Sequence, residues 1–392
     1  MQASNEFKSQ LPGHPSPFHD EHFLSWLTRF ARANLCEAMP FTQIILSGLD
    51  VWGGCVNGNS YHKPEGVLST LSGIEEKAIQ KLYVVNFVRR HFIELNSFYA
   101  SHYLLPSNSR SRKFRSNWMQ YCPLCLLEDK EPYYRNKWRI SFLPVCTKHK
   151  LILLNNCPSC SAPINFHRIP TLLNNISSCH NCLYSLEKSN FQTYEADSSL
   201  AYITELIESG ISSGWVRVSA SRTVIMPLFI AGLWILLKPF FRKKTALKMK
   251  SAFDVQRVDD NINISQFCHL NCGYRSELLS AIGELINNWP HNFLKICSRM
   301  KLNRIAFTIN EPNCPFWIED ILRTQVQRFK PKVSDNEFSS ACKFLRQRKY
   351  RVCYSNVAEV LGLNRSCHRT KNRDFIIALN YDKYYSHRIF HW

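Results

Sequence analysis

Four short-spaced pairs of metal-binding side chains lie between residues 122 and 182: Cys122 and Cys125 in "YCPLC", Cys146 and His149 in "CTKH", Cys157 and Cys160 in "CPSC", and Cys179 and Cys182 in "CHNC". Two residues separate the members of every pair, twenty separate Cys125 from Cys146, and eighteen separate Cys160 from Cys179. This is the geometry of two zinc-ribbon or treble-clef-like knuckles, each built from two pairs around a tetrahedral ion. The expected first site is Cys122, Cys125, Cys146 and His149; the second is Cys157, Cys160, Cys179 and Cys182. Thiolate and imidazole suit Zn2+. Four protein ligands leave no position for a water nucleophile, so two structural zinc ions are expected. His167 and His180 are alternatives to His149, whose short spacing from Cys146 puts it first.

A redox pair would instead open a helix in a strand-helix-strand unit, whereas Pro123 and the turn-rich "CPSCSAP" favour knuckles. An iron-sulfur cluster suits a set completed by histidine less well. Cys268 and Cys272, with His269 between them, have no second pair. Together with the seven other remaining cysteines they read as buried or free thiols. The beginning "MQASNEFKSQLPGHP" carries no apolar secretory core, which points to a reducing, cytoplasmic setting in which sixteen cysteines do not mean eight disulfides. The most apolar run, Val224 to Leu237, is shorter than the roughly 20 residues that cross a bilayer as a helix. It is expected to be a buried helix entered through Pro227, and no membrane association is expected.

Basic residues outnumber acidic ones by 49 to 30, for a formal charge of +19, so a polyanionic partner such as double-stranded DNA is expected. Arg110, Arg112, Lys113 and Arg115 lie in "PSNSRSRKFRSNW" with no acidic neighbour, as a phosphate-holding loop or a solvated linker. From Arg323 to Arg351 nine Lys or Arg residues face only Asp335 and Glu337. There follows "YSNVAEVLGLNRSCHRTKNRDF", in which Ser355 is expected to cap a helix bearing Val357, Val360 and Leu361. Gly362 would allow a turn, and Ser366 would start a second helix. Arg365, His368, Arg369 and Lys371 would then be placed as a helix-turn-helix reader needs them. A compact helical subdomain with a charged face is the competing reading.

Helical spacing also marks "DEHFLSWLTRFARAN", with Asp20 as the cap and Arg29 and Arg32 on a solvated face. From Gly66 to Phe92 a helix, a break at Gly73 and a second helix suggest a further helix-turn-helix or ordinary hairpin packing. Leu200, Ile203, Leu206 and Ile207 share one face of another helix. Pro290 stops the helix carrying Leu278, Leu279, Ile282, Leu285 and Ile286, with Trp289 as a core wedge. The expected architecture is mainly α with small zinc knuckles: an N-terminal helical domain (1–105), tandem knuckles (106–190), a helical domain (191–310) and a basic helix-turn-helix-like domain (311–392). The aromatic ending "YYSHRIFHW" suits a core or an interface, including that of a homodimer.

No phosphate loop, metalloprotease helix or serine nucleophile elbow is present, and Asp254, Asp259 and Asp260 lack a strand context, so no enzyme is expected. The stretch from Tyr121 to Cys160, "YCPLCLLEDKEPYYRNKWRISFLPVCTKHKLILLNNCPSC", resembles the central zinc region of the TniQ/TnsD family of transposon target-selection proteins. "DEHFLSWLTRFARAN", Trp289-Pro290 and Tyr354 to Leu363 are similar to further segments of that family. By position, the two ligand sets above match two family zinc sites. The resemblance implies an adaptor of a DNA transposon, CRISPR-associated or related, in a prokaryotic cytoplasm and associated with DNA or the nucleoid. Such an adaptor recognises target DNA, or a Cascade complex with guide RNA already on DNA, and engages an AAA+ ATPase of the TnsC/TniB kind. A stand-alone zinc-containing transcription regulator, a nuclease or transposase, and an RNA-binding zinc protein are the other classes compatible with these residues.

Overall fold

The computed structural model describes residues 9–46, 49, 51–52, 64–84, 86, 103–106, 118–173, 175–195, 197–256, 264–308, 314–326 and 333–362. These are mainly helical and fall into two compact units. One is drawn from residues 1–90, 101–196 and 266–276, the other from 197–265 and 277–392.

The first unit begins with α1 (Phe23–Ala33), α2 (Ala38–Ile45), α3 (Glu65–Ser72) and α4 (Glu76–Lys81). In α1, Phe23, Trp26, Leu27, Phe30 and Ala31 are all buried, as their spacing predicts. Its cap is His22 rather than Asp20: the His22 Nδ1 accepts from the Leu24 N–H at 3.2 Å, while Asp20 sits at a left-handed φ of 64°. The solvated role expected for Arg29 and Arg32 is also corrected. Arg29 is buried between Glu21 and Glu131, at 2.7 Å from each. Arg32 donates to the carbonyls of Ile169, Pro170, Thr171 and Leu173. Burial outweighs the attraction of Arg29 and raises the Glu21 carboxyl to about 7. Gly73 ends α3 at φ +70°, a conformation glycine adopts without a Cβ penalty, and α4 packs back on α3.

The chain then enters α5 (Pro123–Glu128) and a two-stranded antiparallel hairpin, β1 (Val145–Cys146) with β2 (Leu151–Ile152), in which Cys146 faces Leu151. One hydrophobic cluster contains Phe23, Trp26 and Phe30 of α1 together with Trp118, Tyr134 and Trp138 and the sulfurs of Cys122, Cys125, Cys146, Cys157 and Cys179. Two fully buried guanidinium groups fix the approach to α5. Arg139 donates to the carbonyls of Leu105, Pro106 and Trp118. Arg275 donates to the Ser141 carbonyl at 2.6 Å and to Gln120 Oε1 at 2.8 Å. Carbonyl and amide oxygens accept from both guanidinium groups.

The second unit comprises α6 (Ser198–Ser213), an antiparallel hairpin of β3 (Trp215–Ser219) and β4 (Arg222–Ile225), α7 (Met226–Phe241), α8 (Ala246–Ala252), α9 (Cys272–Ile286, whose first residues belong to the first unit), α10 (His291–Met300), α11 (Arg304–Thr308), α12 (Phe316–Ile321), α13 (Asp335–Gln347) and α14 (Tyr354–Val360). Asp197 caps α6 through the Leu200 N–H, and Leu200, Ile203 and Ile207 are buried while Leu206 is half-buried. The apolar run near residue 230 is the buried α7, with Pro227 in its first turn, where the missing N–H costs little. It extends beyond Leu237 to Phe241, and among the described residues no helix is long and apolar enough to cross a membrane. Trp317 donates its indole N–H to the Leu228 carbonyl at 3.0 Å and fills the space over Gly232. Trp289 is a core wedge, packed on Phe293 and Trp317 with ring centroids 4.9 Å apart in both contacts.

α14 is capped by Cys353, without a side-chain hydrogen bond, and Ser355 lies inside the helix rather than capping it. Val357, Val360 and Leu361 are buried, and Gly362 adopts φ +67°. The expected second helix from Ser366 and the aromatic ending lie outside the described residues.

Candidate metal centres

Cys122 caps α5, and the Cys125 N–H in the first turn donates to the Cys122 sulfur at 3.3 Å. Thus the first thiol pair does open a helix. Its partners, however, come from the β1–β2 hairpin: Cys146 ends β1 and His149 lies in the connecting turn. The His149 Nδ1 is 3.2 Å from the Cys122 sulfur, 3.3 Å from that of Cys125 and 3.6 Å from that of Cys146, and the Cys125 and Cys146 sulfurs are 3.7 Å apart.

The second set is built from two matching turns. The Ser161 N–H donates to the Cys157 carbonyl and the Cys157 N–H to the Ala162 carbonyl; the Leu183 N–H donates to the Cys179 carbonyl and the Cys179 N–H to the Tyr184 carbonyl. In both turns the residue after the second cysteine is left-handed, Ser161 at φ 56° and Leu183 at 61°, and Lys150 after His149 has φ 54°. This recurrent strained step turns the chain back and keeps both ligands of each pair on one side. Across the two turns the sulfurs of Cys157 and Cys182, and those of Cys160 and Cys179, are each 3.6 Å apart.

Within each group of four, all ligand atoms lie within 4.8 Å of one another. Donors about 2.3 Å (sulfur) or 2.0 Å (nitrogen) from a shared tetrahedral ion stand roughly 3.5 to 3.8 Å from one another, which the measured edges approach. They exceed the roughly 2 Å of a disulfide bond. Both donor sets therefore fit a metal ion. The thiols of each group titrate against one another. Hydrogen bonds with Cys122 and then Cys125 pull the Cys146 thiol far down, whereas hydrogen bonds with Cys125, foremost, and Cys146 push Cys122 up. In the second group a hydrogen bond with Asn181, foremost, brings Cys160 down to about 6, and burial, foremost, raises Cys157 to about 12. A divalent ion would replace this shared proton with a common countercharge.

His149 is oriented from behind. Its Nε2 lies 2.9 Å from Glu128 Oε2, which also accepts from Lys148 Nζ at 2.6 Å. With Nδ1 facing the sulfurs, Nε2 carries the proton and donates it to the carboxylate. Spacing alone did not single out Glu128, although it stands three residues beyond Cys125 at the end of the same short helix. His167 is not part of the first group. It stacks on Trp52 at 4.8 Å, and burial takes it down to about 3. His180 lies between Cys179 and Cys182 and belongs to neither donor set.

Among the described residues there is no third cluster of this kind. The Cys272 thiol donates to Gln120 Oε1, and Cys268, Cys297, Cys314 and Cys342 are buried. Asp254 is exposed in the turn after α8. Arg110, Arg112, Lys113, Arg115, Arg365, His368, Arg369 and Lys371 lie outside the described residues, as do Asp259 and Asp260.

No curated protein matches the chain. Residues 12–153 match the family model described as TniQ, a stretch that contains α1, α5 and the first donor set and stops before Cys157. Over residues 12–153 the chain is similar to the TniQ family.

Proposed function

We propose that the chain is a zinc-stabilised, non-catalytic adaptor for target selection in DNA transposition. The TniQ match over residues 12–153 supports the general role. The observation that carries the fuller reading is the first donor set, closed by four protein ligands and seated in the same apolar cluster as α1. Cys122, Cys125, Cys146 and His149 would hold one Zn2+, and Cys157, Cys160, Cys179 and Cys182 the other. Bound zinc would supply a cross-link and a countercharge for the thiolates. The residues of the chain do the rest. Glu128 holds the His149 ring with Nδ1 toward the sulfurs, and Arg139 and Arg275 fix the strand of chain that delivers Cys122. The result would be a rigid platform with no open coordination position.

In this reading the platform presents one partner to another: target DNA, or a DNA-bound Cascade complex with guide RNA, to an AAA+ ATPase of the TnsC/TniB kind. Arg110, Arg112, Lys113 and Arg115, and Arg365, His368, Arg369 and Lys371, are proposed DNA contacts on the strength of their charge pattern. An affinity pull-down from the native host, with and without nuclease, tests the reading by mass spectrometry of bound proteins and sequencing of bound nucleic acid. Enrichment of an AAA+ ATPase together with target DNA or a guide complex is expected. Retention of one palindromic DNA site without any ATPase would replace the adaptor with a transcription regulator.

A further inference from the structure

Between Glu208 and Asp254, and again between Glu284 and Glu311, the sequence contains no acidic residue. Both stretches fold within the second unit, and Arg242 joins them by donating from its guanidinium to the Ile305 carbonyl in α11. The turn that leads into α8 therefore lies beside α11, the short helix that follows α10. α8 turns Ala246 and Met249 inward, with Phe253 against Phe240 at 5.7 Å, and leaves Lys243, Lys244 and Lys248 exposed around its outer side. α10 buries Phe293, Ile296 and Cys297 and exposes Lys295 and Arg299, followed by exposed Lys301.

None of these six cations forms an ion pair among the described residues. Arg304 and Arg323, by contrast, are engaged by Glu319. Folded surfaces usually intersperse the two signs, because gathering one sign adds self-repulsion that a polyanion relieves by displacing counterions.

We propose that this outer surface of α8 and α10 binds the phosphate backbone of double-stranded DNA. It rests on the reading above that the chain works on DNA, and it names residues other than those of the charged segments near 110 and 368. Five of the six cations are lysines, compact point charges suited to phosphate, whereas base recognition favours a planar bidentate fork. The surface therefore holds and positions the duplex without selecting its sequence.

The test is fluorescence anisotropy of the zinc-loaded full chain with a random-sequence duplex over a range of salt concentrations. Each phosphate contact contributes about 0.9 to the slope of log affinity against log salt. Lys243→Gln/Lys244→Gln/Lys248→Gln should flatten that slope by about 2.7, and Lys295→Gln/Arg299→Gln/Lys301→Gln should flatten it comparably. Lys130→Gln, exposed in the first unit, should leave it unchanged. Circular dichroism and zinc content check that the variants remain folded. If the wild-type chain binds duplex and both triple variants keep its slope, the surface assignment is overturned while the DNA reading stands. Absence of salt-dependent duplex binding by the wild-type chain overturns both. A loss confined to single-stranded RNA would overturn duplex DNA as the partner of this surface.

Discussion

At the scale of single residues, the two donor sets differ in how their last ligand is held. A thiolate needs only a turn that aims it, whereas an imidazole must also choose a nitrogen and a ring orientation. Glu128 makes that choice for His149 through a 2.9 Å hydrogen bond to Nε2. Glu128→Ala should weaken metal binding at the first site by about 10- to 100-fold, with Glu128→Gln recovering part of the loss because its amide oxygen still accepts the Nε2 proton. Chelator competition on the cobalt-substituted chain reads this directly, since a three-sulfur, one-nitrogen site and a four-sulfur site have distinct visible spectra. The spectrum and affinity of the second site should not move.

His167 gives a second residue-scale prediction. Its folded pKa, taken down to about 3 by burial, lies below the ordinary histidine value near 6.5. The unfolded chain thus binds the proton first. The stabilising effect of keeping this ring neutral is complete above about pH 6.5 and is lost as the pH falls toward 3, at up to about 1.4 kcal/mol per pH unit. Release of the proposed metal ions in acid would add its own slope. His167→Phe, which keeps a ring against Trp52, should therefore flatten the stability profile between pH 6 and 4 by about one proton relative to wild type. Urea unfolding across that range measures the difference, and an unchanged slope would contradict a buried neutral imidazole.

At the scale of elements, what could be read in advance was local. The Cys-x-x-Cys and Cys-x-x-His pairs were legible because ligand chemistry and turn length are written within four residues. α3 and its end at Gly73, and the arrest of α9 before Pro290, were legible for the same reason. Other features depend on residues far away in the chain. Asp20 looks like a cap, but it takes a left-handed backbone while Glu21 forms an antiparallel bridge with Arg135, leaving His22 to cap α1. Arg29 and Arg32 look solvated until Glu131 and the carbonyls of residues 169–173 arrive from more than a hundred residues away. Hydropathy also gave no sign that α1 shares one core with the ligand-bearing turns, because each segment shows only its own apolar face. Gly232 makes this dependence testable in the second unit. A Cβ there would lie 2.1 Å from the Trp317 ring, so Gly232→Ala should destabilise that unit by about 3 kcal/mol as an overpacked core does. A denaturant midpoint equal to that of the wild type would contradict the close approach of α7 and Trp317.

At the scale of the whole molecule, the proposed metal ions would couple to the fold. The second unit has an ordinary apolar core around α7, whereas the first places five of the seven candidate ligand cysteines inside its hydrophobic cluster. Leaving those thiols without a shared cation would bury groups that compete for the same protons. Cys122→Ser and Cys157→Ser should each remove one ion and expose the first unit to limited proteolysis, while the second unit stays protected.

The most direct test of the central claim is native mass spectrometry of the purified chain, supported by elemental analysis. The predicted result is two zinc ions per chain, falling to one in either variant. A folded chain without metal, or variants that retain both ions, would contradict a platform organised by two closed metal centres.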